Sequence, residues 1–207
     1  MNVTPSRVRN VDIEVTAPPS KSYTHRALII GALGKGTTTI LNPLYAEDTK
    51  ITLNALRTLG VRITEKPDRI IVTGCDGTFI NPENTTLDLD NSGTSLRLFA
   101  SLALLCRHPV ILTGSARMQE RPIGPLVQSL GCLGGFVKYL KNDGYPPVEV
   151  GGHLRGGPVT VDGTISSQFI TSVLIAAPYA EREVEVLIPS PPASRSCLLY
   201  TSDAADE

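Results

Sequence analysis

Cysteine is sparse in this chain and never closely paired: Cys75, Cys106, Cys132 and Cys197 form no Cys-x-x-Cys motif. That spacing argues against a zinc site or a disulfide-stapled scaffold and fits reduced thiols in the cytoplasm. Neither sign of charge is in excess. The net charge of −1 gives no global field to draw nucleic acid or an acidic membrane, so basic residues matter only where they cluster, and a small anionic ligand fits better. The longest apolar stretch, Leu98 to Cys106, is far short of the ~20 residues that span a bilayer. The first residues lack the charged-then-apolar pattern of a signal peptide. Aromatic residues make up only 5% of the chain, yet 41% of its 207 residues are hydrophobic, enough to bury the core of one large or two small domains.

What the sequence does contain is a set of unusual helix starts. Pro19-Ser20-Lys21-Ser22-Tyr23-Thr24-His25-Arg26 places small hydroxyls and two cations where a helix begins. A helix start prefers anions, because its free N–H groups carry partial positive charge. Lys21 and Arg26 suit that position only if an anionic ligand joins them; the plainer alternative is a solvated basic patch beside an N-cap serine.

The order of elements repeats. An alternating strand at Val11 to Val15 precedes a largely buried helix that runs from Ser22 to Gly34. A β-branched strand follows at Thr37 to Leu41, then a helix opened by Glu47-Asp48 and closed by Gly60, then strands at Val61 to Thr64 and Arg69 to Thr73. The second round begins with a strand at Thr86 to Asp90 and a helix from Asn91-Ser92-Gly93-Thr94-Ser95 through Leu105. Val110 to Leu112 is the next strand, and Arg121-Pro122 is expected to start a helix with proline at its first position, ended by Gly134-Gly135. Strands at Phe136 to Tyr139 and Val148 to Val150 complete it. A third round opens with a strand at Val159 to Val161 and the helix start Ser166-Ser167-Gln168. Ser22 to Thr94 spans 72 positions and Thr94 to Ser167 spans 73, so an α/β fold of repeated βαβαββ units in a pseudo-threefold arrangement is expected. On that period the third unit is incomplete at Glu207, and residues 197–207 continue neither pattern; a non-native tail resembling translated adaptor sequence is expected.

Lys21, Arg26, Arg97 and Arg121 accompany these starts, and threefold symmetry would aim them at one place. Gly93 would let backbone N–H groups approach a ligand, Ser166 and Ser167 suit phosphate oxygens, and Arg121 offers a fork for carboxylate or phosphate. Each residue also has a plainer reading, with Gly93 and the serines as caps and Arg97 or Arg121 paired with Asp90 or Glu120 at the surface. Repetition at one period favours the anion site.

Taken together, Pro19-Ser20-Lys21-Ser22 with Arg26, Asn91-Ser92-Gly93-Thr94 with Arg97, Glu120-Arg121-Pro122-Ile123, Tyr145-Pro146-Pro147, and Asp162-Gly163 with Ser166-Ser167-Gln168-Phe169 resemble the 5-enolpyruvylshikimate-3-phosphate synthase family in order and spacing. The resemblance covers roughly residues 11–195 and implies the first half of a two-domain enzyme. Residues 1–17 would then form a strand belonging to the second domain and 18–196 the enolpyruvyl transferase domain, with repeats at about 18–85, 86–157 and 158–196.

The resemblance implies that Lys21 touches both substrates and acts electrostatically, and that Ser22, Arg26, Ser166, Ser167, Gln168 and Ser194 hold shikimate 3-phosphate. Gly93, Arg121 and Gln168 would bind phosphoenolpyruvate, with Asn91, Thr94 and Arg97 in support. Ser194 fits the pattern less well, because Ser196-Cys197 stands where the family has Pro-Tyr. The implied enzyme is cytoplasmic and monomeric, uses no cofactor or metal, is the glyphosate target, and takes its general acid/base carboxylates from the second domain. His25, His108 and His153 are then structural or exposed. The related UDP-N-acetylglucosamine enolpyruvyl transferase is one alternative, disfavoured because no cysteine lies between Val110 and Arg121. A non-catalytic phosphate-binding half-domain is the other.

Overall fold

Pro18-Pro19 end any extended run, and Ser20 then caps α1 (Lys21–Leu33) by accepting the Tyr23 N–H at 3.4 Å, while Gly34 closes the helix. The structure is a computed structural model describing Glu14 and residues 17–192. The expected strand at Val11 to Val15, Glu14 apart, lies outside the described residues, as do Ser194, Cys197 and the 197–207 segment. After α1 the β-branched run forms β1 (Thr37–Leu41). Next comes α2 (Glu47–Thr58), whose first turn carries Glu47 and Asp48 against the positive end of the helix dipole. It stops before Gly60, where a φ of 91° makes the left-handed turn into β2 (Arg62–Lys66) and β3 (Arg69–Thr73). The three strands form one antiparallel sheet in the order β1-β3-β2.

The second round consists of β4 (Thr85–Asp88), α3 (Gly93–Leu102), β5 (Val110–Thr113), α4 (Gly124–Cys132), β6 (Gly135–Tyr139) and β7 (Val148–Gly152). Its sheet runs β4-β5-β7-β6, with β4 parallel to β5 and the other pairs antiparallel. The β5-β7-β6 part reproduces β1-β3-β2. A third round gives β8 (Gly157–Thr160), α5 (Ser167–Ala176) and β9 (Val184–Leu187), and β8 pairs in parallel with β9 as β4 does with β5. The repeated βα unit is therefore visible in strand order and direction as well as in sequence period.

Two details depart from the sequence reading. The α4 helix begins at Gly124 instead of Arg121-Pro122. Arg121 is extended, with φ −92° and ψ 124°, as expected of a residue that precedes proline, and Pro125 occupies the first turn in place of Pro122. The strand β9 was not anticipated; its Val184-Glu185-Val186-Leu187 alternation is short and only half-buried on one face.

Leu28, Ile29, Leu56, Phe99 and Phe169 are fully or almost fully buried and tie the helices into one core. Among the described cysteines all three are free, and burial pushes the Cys106 thiol up to about 12. No described helix is long and apolar enough to cross a membrane.

The tightest helix pairing is α3 with α5. At its centre Ser172, fully buried, donates to the Arg97 carbonyl at 2.5 Å and meets the Ser101 hydroxyl at 2.6 Å. Removing that hydroxyl takes away the second bond to the Arg97 carbonyl and leaves the buried Ser101 hydroxyl without this partner. Ser172→Ala should therefore lower the unfolding free energy by about 1–3 kcal/mol, measured by urea denaturation at unchanged m-value; an unchanged midpoint would show that the seam is held by apolar packing alone.

Candidate anion-binding site

Three helices begin in the same way. Ser20, Ser92 and Ser166 are the N-caps of α1, α3 and α5, their hydroxyls accepting the N–H groups of Tyr23, Ser95 and Gln168 at 3.4, 3.3 and 3.2 Å. Lys21, Gly93 and Ser167 follow as the first helical residues. At Ser20 and Ser166 capping uses one lone pair of the oxygen and leaves the hydroxyl proton to donate, so these caps can also serve an anion, whereas the buried Ser92 hydroxyl lies 2.6 Å from Ser95 Oγ. Gly93 and Ser167 are not caps, whereas Ser166 is.

Arg26 and Arg97 are held by neutral groups, and Lys21 by a carboxylate. Lys21 Nζ lies 2.6 Å from Asp48 Oδ2, a partly exposed ion pair between the starts of α1 and α2. Arg26 is buried; its Nη1 donates to the Ser22 carbonyl at 3.1 Å and its Nη2 to Thr171 Oγ1 at 3.2 Å, joining α1 to α5, while its Nε has no partner among the described residues. Arg97 Nη1 donates to Gln168 Oε1 at 2.6 Å, and its guanidinium carbon sits 5.5 Å from the centre of the Phe169 ring. Gln168 in turn donates from Nε2 to Thr94 Oγ1 at 2.9 Å.

Arg121 reaches the same spot from its extended loop. A Cβ placed on Gly93 would lie 2.7 Å from Arg121 Nη1 and 3.6 Å from Arg97 Nη1, so two guanidinium groups flank one backbone position. Burial lowers the pKa of Arg97, and the charge of Arg121 lowers it further. Among the described residues no carboxylate pairs with Arg26, Arg97 or Arg121; the surface pairing of Arg97 or Arg121 with Asp90 or Glu120 is not formed. Asn91 braces the loop from outside, its Oδ1 accepting from the Ser115 hydroxyl at 2.8 Å.

Behind the helix starts runs a buried polar chain. His25 Nδ1 is 2.7 Å from Thr52 Oγ1, Thr52 is 2.8 Å from Ser95 Oγ, and Ser95 is 2.6 Å from Ser92 Oγ. Burial drives the His25 pKa down to about 4; Asp48 pulls it up, and Lys21 and Arg26 push it further down. His108 is half-buried and His153 exposed.

Lys21, Ser22, Arg26, Gly93, Thr94, Arg97, Arg121, Ser166, Ser167 and Gln168 thus gather at the starts of α1, α3 and α5 or in the loop facing them. Sequence reasoning missed Asp48 as the partner of Lys21, Thr171 as the partner of Arg26, and the Thr52–Ser95 link. Asp48 was legible only as a dipole-stabilising helix opener, and nothing local connects it to a lysine 27 positions away.

The repeated α/β fold matches solved EPSP synthase structures and is that of an enolpyruvyl transferase-like domain. Residues 5–196 match the family model of EPSP synthase (3-phosphoshikimate 1-carboxyvinyltransferase), and the chain belongs to that family. The 3-phosphoshikimate 1-carboxyvinyltransferase of Methanoregula boonei is 56% identical over 192 residues, which are 93% of this chain and 46% of that protein. The one from Methanoculleus marisnigri is 55% identical over 203 residues, 98% of this chain and 48% of that protein. The solved EPSP synthase of Acinetobacter baumannii superposes with a TM-score of 0.78 at 30% identity, covering 88% of this chain and 41% of its own. The chain spans about half the length of the curated relatives it matches.

The position of His25 gives a pH dependence of known sign. Its pKa is 6.5 when exposed and about 4 in the fold, so between these values the unfolded chain binds a proton that the folded chain refuses. Stability rises with pH through that window and is lost as pH falls through it. From pH 7 to pH 5 this group should cost roughly 2 kcal/mol, seen as a steeper fall of the urea midpoint in wild type than in His25→Gln. Parallel profiles would show that His25 titrates normally.

Proposed function

We propose that this chain supplies the shikimate 3-phosphate-binding wall, and part of the phosphoenolpyruvate-binding wall, of an enzyme that transfers the enolpyruvyl group to the 5-hydroxyl of shikimate 3-phosphate. The observation that carries the reading is that Arg97 and Arg121 flank Gly93 at the start of α3, and Arg26 is buried between α1 and α5, without a described carboxylate to neutralise them. Such a site is completed by an anion.

The chemistry is an addition followed by an elimination. The 5-hydroxyl gives up its proton to a base as its oxygen bonds to C2 of phosphoenolpyruvate and C3 takes a proton from an acid; the tetrahedral intermediate then loses a C3 proton and breaks its C2–O bond to expel inorganic phosphate. Both substrates are highly anionic, so fixed cations are needed to bring them together and to stabilise the charge that develops. In this reading Ser22, Arg26, Ser166, Ser167 and Gln168 hold shikimate 3-phosphate, Gly93, Arg121 and Gln168 hold phosphoenolpyruvate, and Lys21, freed from Asp48, serves both. Thr94 and Arg97 fix Gln168 between the two.

Ser166→Ala with Ser167→Ala should weaken shikimate 3-phosphate at least tenfold but leave shikimate nearly unchanged, since a hydroxyl bond to a charged oxygen contributes about 1.5–3 kcal/mol. Calorimetry showing equal weakening of both would assign these serines to capping only. The 207-residue chain should also bind shikimate 3-phosphate without releasing phosphate from phosphoenolpyruvate, because in this reading the general acid/base carboxylates come from a second domain and the chain spans only about half the length of its relatives. Phosphate release by the chain alone would overturn this division of labour.

Gly93→Ala tests the phosphoenolpyruvate wall separately. The added methyl would displace the Arg121 guanidinium, while alanine is otherwise favoured over glycine within a helix by about 1 kcal/mol. In the two-domain protein the expected result is a raised KM for phosphoenolpyruvate and a larger rise in the glyphosate inhibition constant, with shikimate 3-phosphate little changed. If all three constants stay at wild-type values, Gly93 is only a helix-start residue.

A further inference from the structure

The start of α3 is the most exacting part of the site, because Gly93 must lie against two guanidinium groups at close range. Its cap does not stand alone. Ser92 is bonded to Ser95, Ser95 to Thr52 on α2, and Thr52 to His25 on α1, and all four side chains are buried. We propose that His25 is a positioning residue for the anion cradle: through Thr52 and Ser95 it fixes Ser92, and so sets the direction of the backbone at the start of α3, where the Gly93 N–H is itself donated to the Asn91 carbonyl at 3.0 Å.

Each hydroxyl in the chain has one proton to donate. If Ser92 donates to Ser95, Ser95 to Thr52 and Thr52 to His25 Nδ1, every hydroxyl both gives and receives, Ser92 still accepts the Ser95 N–H, and the one orphan is the Nε2–H, which has no partner among the described residues. The reverse direction strands the Ser92 proton as well as the Nε2 lone pair. Fewer unmet groups favour the first arrangement. It requires a neutral imidazole with the proton on Nε2, because the Nδ1 lone pair is where the chain ends.

Protonating Nδ1 would turn an acceptor into a donor facing the Thr52 hydroxyl, and the whole chain would have to reverse. The groups around His25 oppose that event on balance: Lys21 and Arg26 on α1 repel a second charge, Asp48 on α2 favours it, and burial disfavours it most. The ordering of α3 follows from these contacts alone. Its consequence for ligand rests on the function proposed above.

The test uses the 207-residue chain with ring-labelled histidine and amide hydrogen exchange by NMR. Wild type should show His25 neutral with the proton on Nε2 from pH 5 to pH 8. His25→Leu removes the terminal acceptor and should speed Ser95 amide exchange at least tenfold, leaving the Gln168 amide at the equivalent start of α5 unchanged. His25→Asn, which returns an acceptor near the Nδ1 position, should restore slow exchange. Should His25→Leu fail to fold, Thr52→Val breaks the same chain at its middle and should loosen the same amide. Unchanged Ser95 exchange, an equal rise at Gln168, or an Nδ1–H tautomer in wild type would each overturn the proposal. Calorimetry with phosphoenolpyruvate then reads the consequence: affinity should fall at least fivefold in His25→Leu and recover in His25→Asn. If wild type binds neither phosphoenolpyruvate nor shikimate 3-phosphate, the proposed function fails, while the exchange data still decide the role of His25.

Discussion

Like charge held together without counter-charge is the constraint on which this structure turns. Arg97 and Arg121 flank Gly93 at the positive end of α3, and Arg26 is buried against α5 with no carboxylate among the described residues in reach. Repulsion of this kind is offset by neutral groups that fix two of the cations in place. The Ser22 carbonyl and Thr171 do so for Arg26, and Gln168 with the face of Phe169 does so for Arg97. Lys21 differs, since its ion pair with Asp48 is partly exposed and therefore weak and exchangeable. Two fixed arginines, Arg26 and Arg97, beside one releasable lysine would suit the proposed anion site.

The cross-links that hold the cations also hold the helices in mutual register. Arg26 to Thr171 joins α1 and α5; Arg97 to Gln168 to Thr94 joins α3 and α5; His25 to Thr52 to Ser95 joins α1, α2 and α3. The three helix starts are thus tied to one another by side chains whose bonds lie mostly in low-dielectric surroundings, where a satisfied network is stiff and a broken one is costly. The anion site and the frame that aims it are built from the same few residues.

Much of this was legible in the sequence because it is local and periodic. Alternation marked β4, β-branched residues marked β1, glycines marked the ends of α1 and α2, and the 72- and 73-position spacing of Ser22, Thr94 and Ser167 exposed the repeat. The start of α4 was misplaced because Arg121-Pro122 and Gly124-Pro125 offer two prolines three positions apart, and only the extended backbone of Arg121 decides between them. Thr52 and Thr171 carried no signal at all. A threonine inside a helix reads as a mild propensity cost, and that it meets His25 or Arg26 depends on the crossing of helices far apart in sequence.

His25 shows why the site was harder to read than the fold. A helix is usually judged by polarity around its axis, with one apolar face and one wet face. In α1 the polarity runs along the axis instead: Thr24, His25 and Arg26 are buried in the first half, and Leu28, Ile29, Ala32 and Leu33 in the second. α3 opens in the same manner, with Ser92 and Ser95 buried ahead of Leu96, Leu98 and Phe99. The apolar halves build the common core, and the polar halves meet where the helix dipoles are positive, so the charge that an anion must satisfy is anchored in the same helices that make the domain stable. A search for amphipathic faces finds the core and passes over the site, whereas polarity that changes at mid-helix, in two helices one repeat apart, marks where the chain keeps its chemistry.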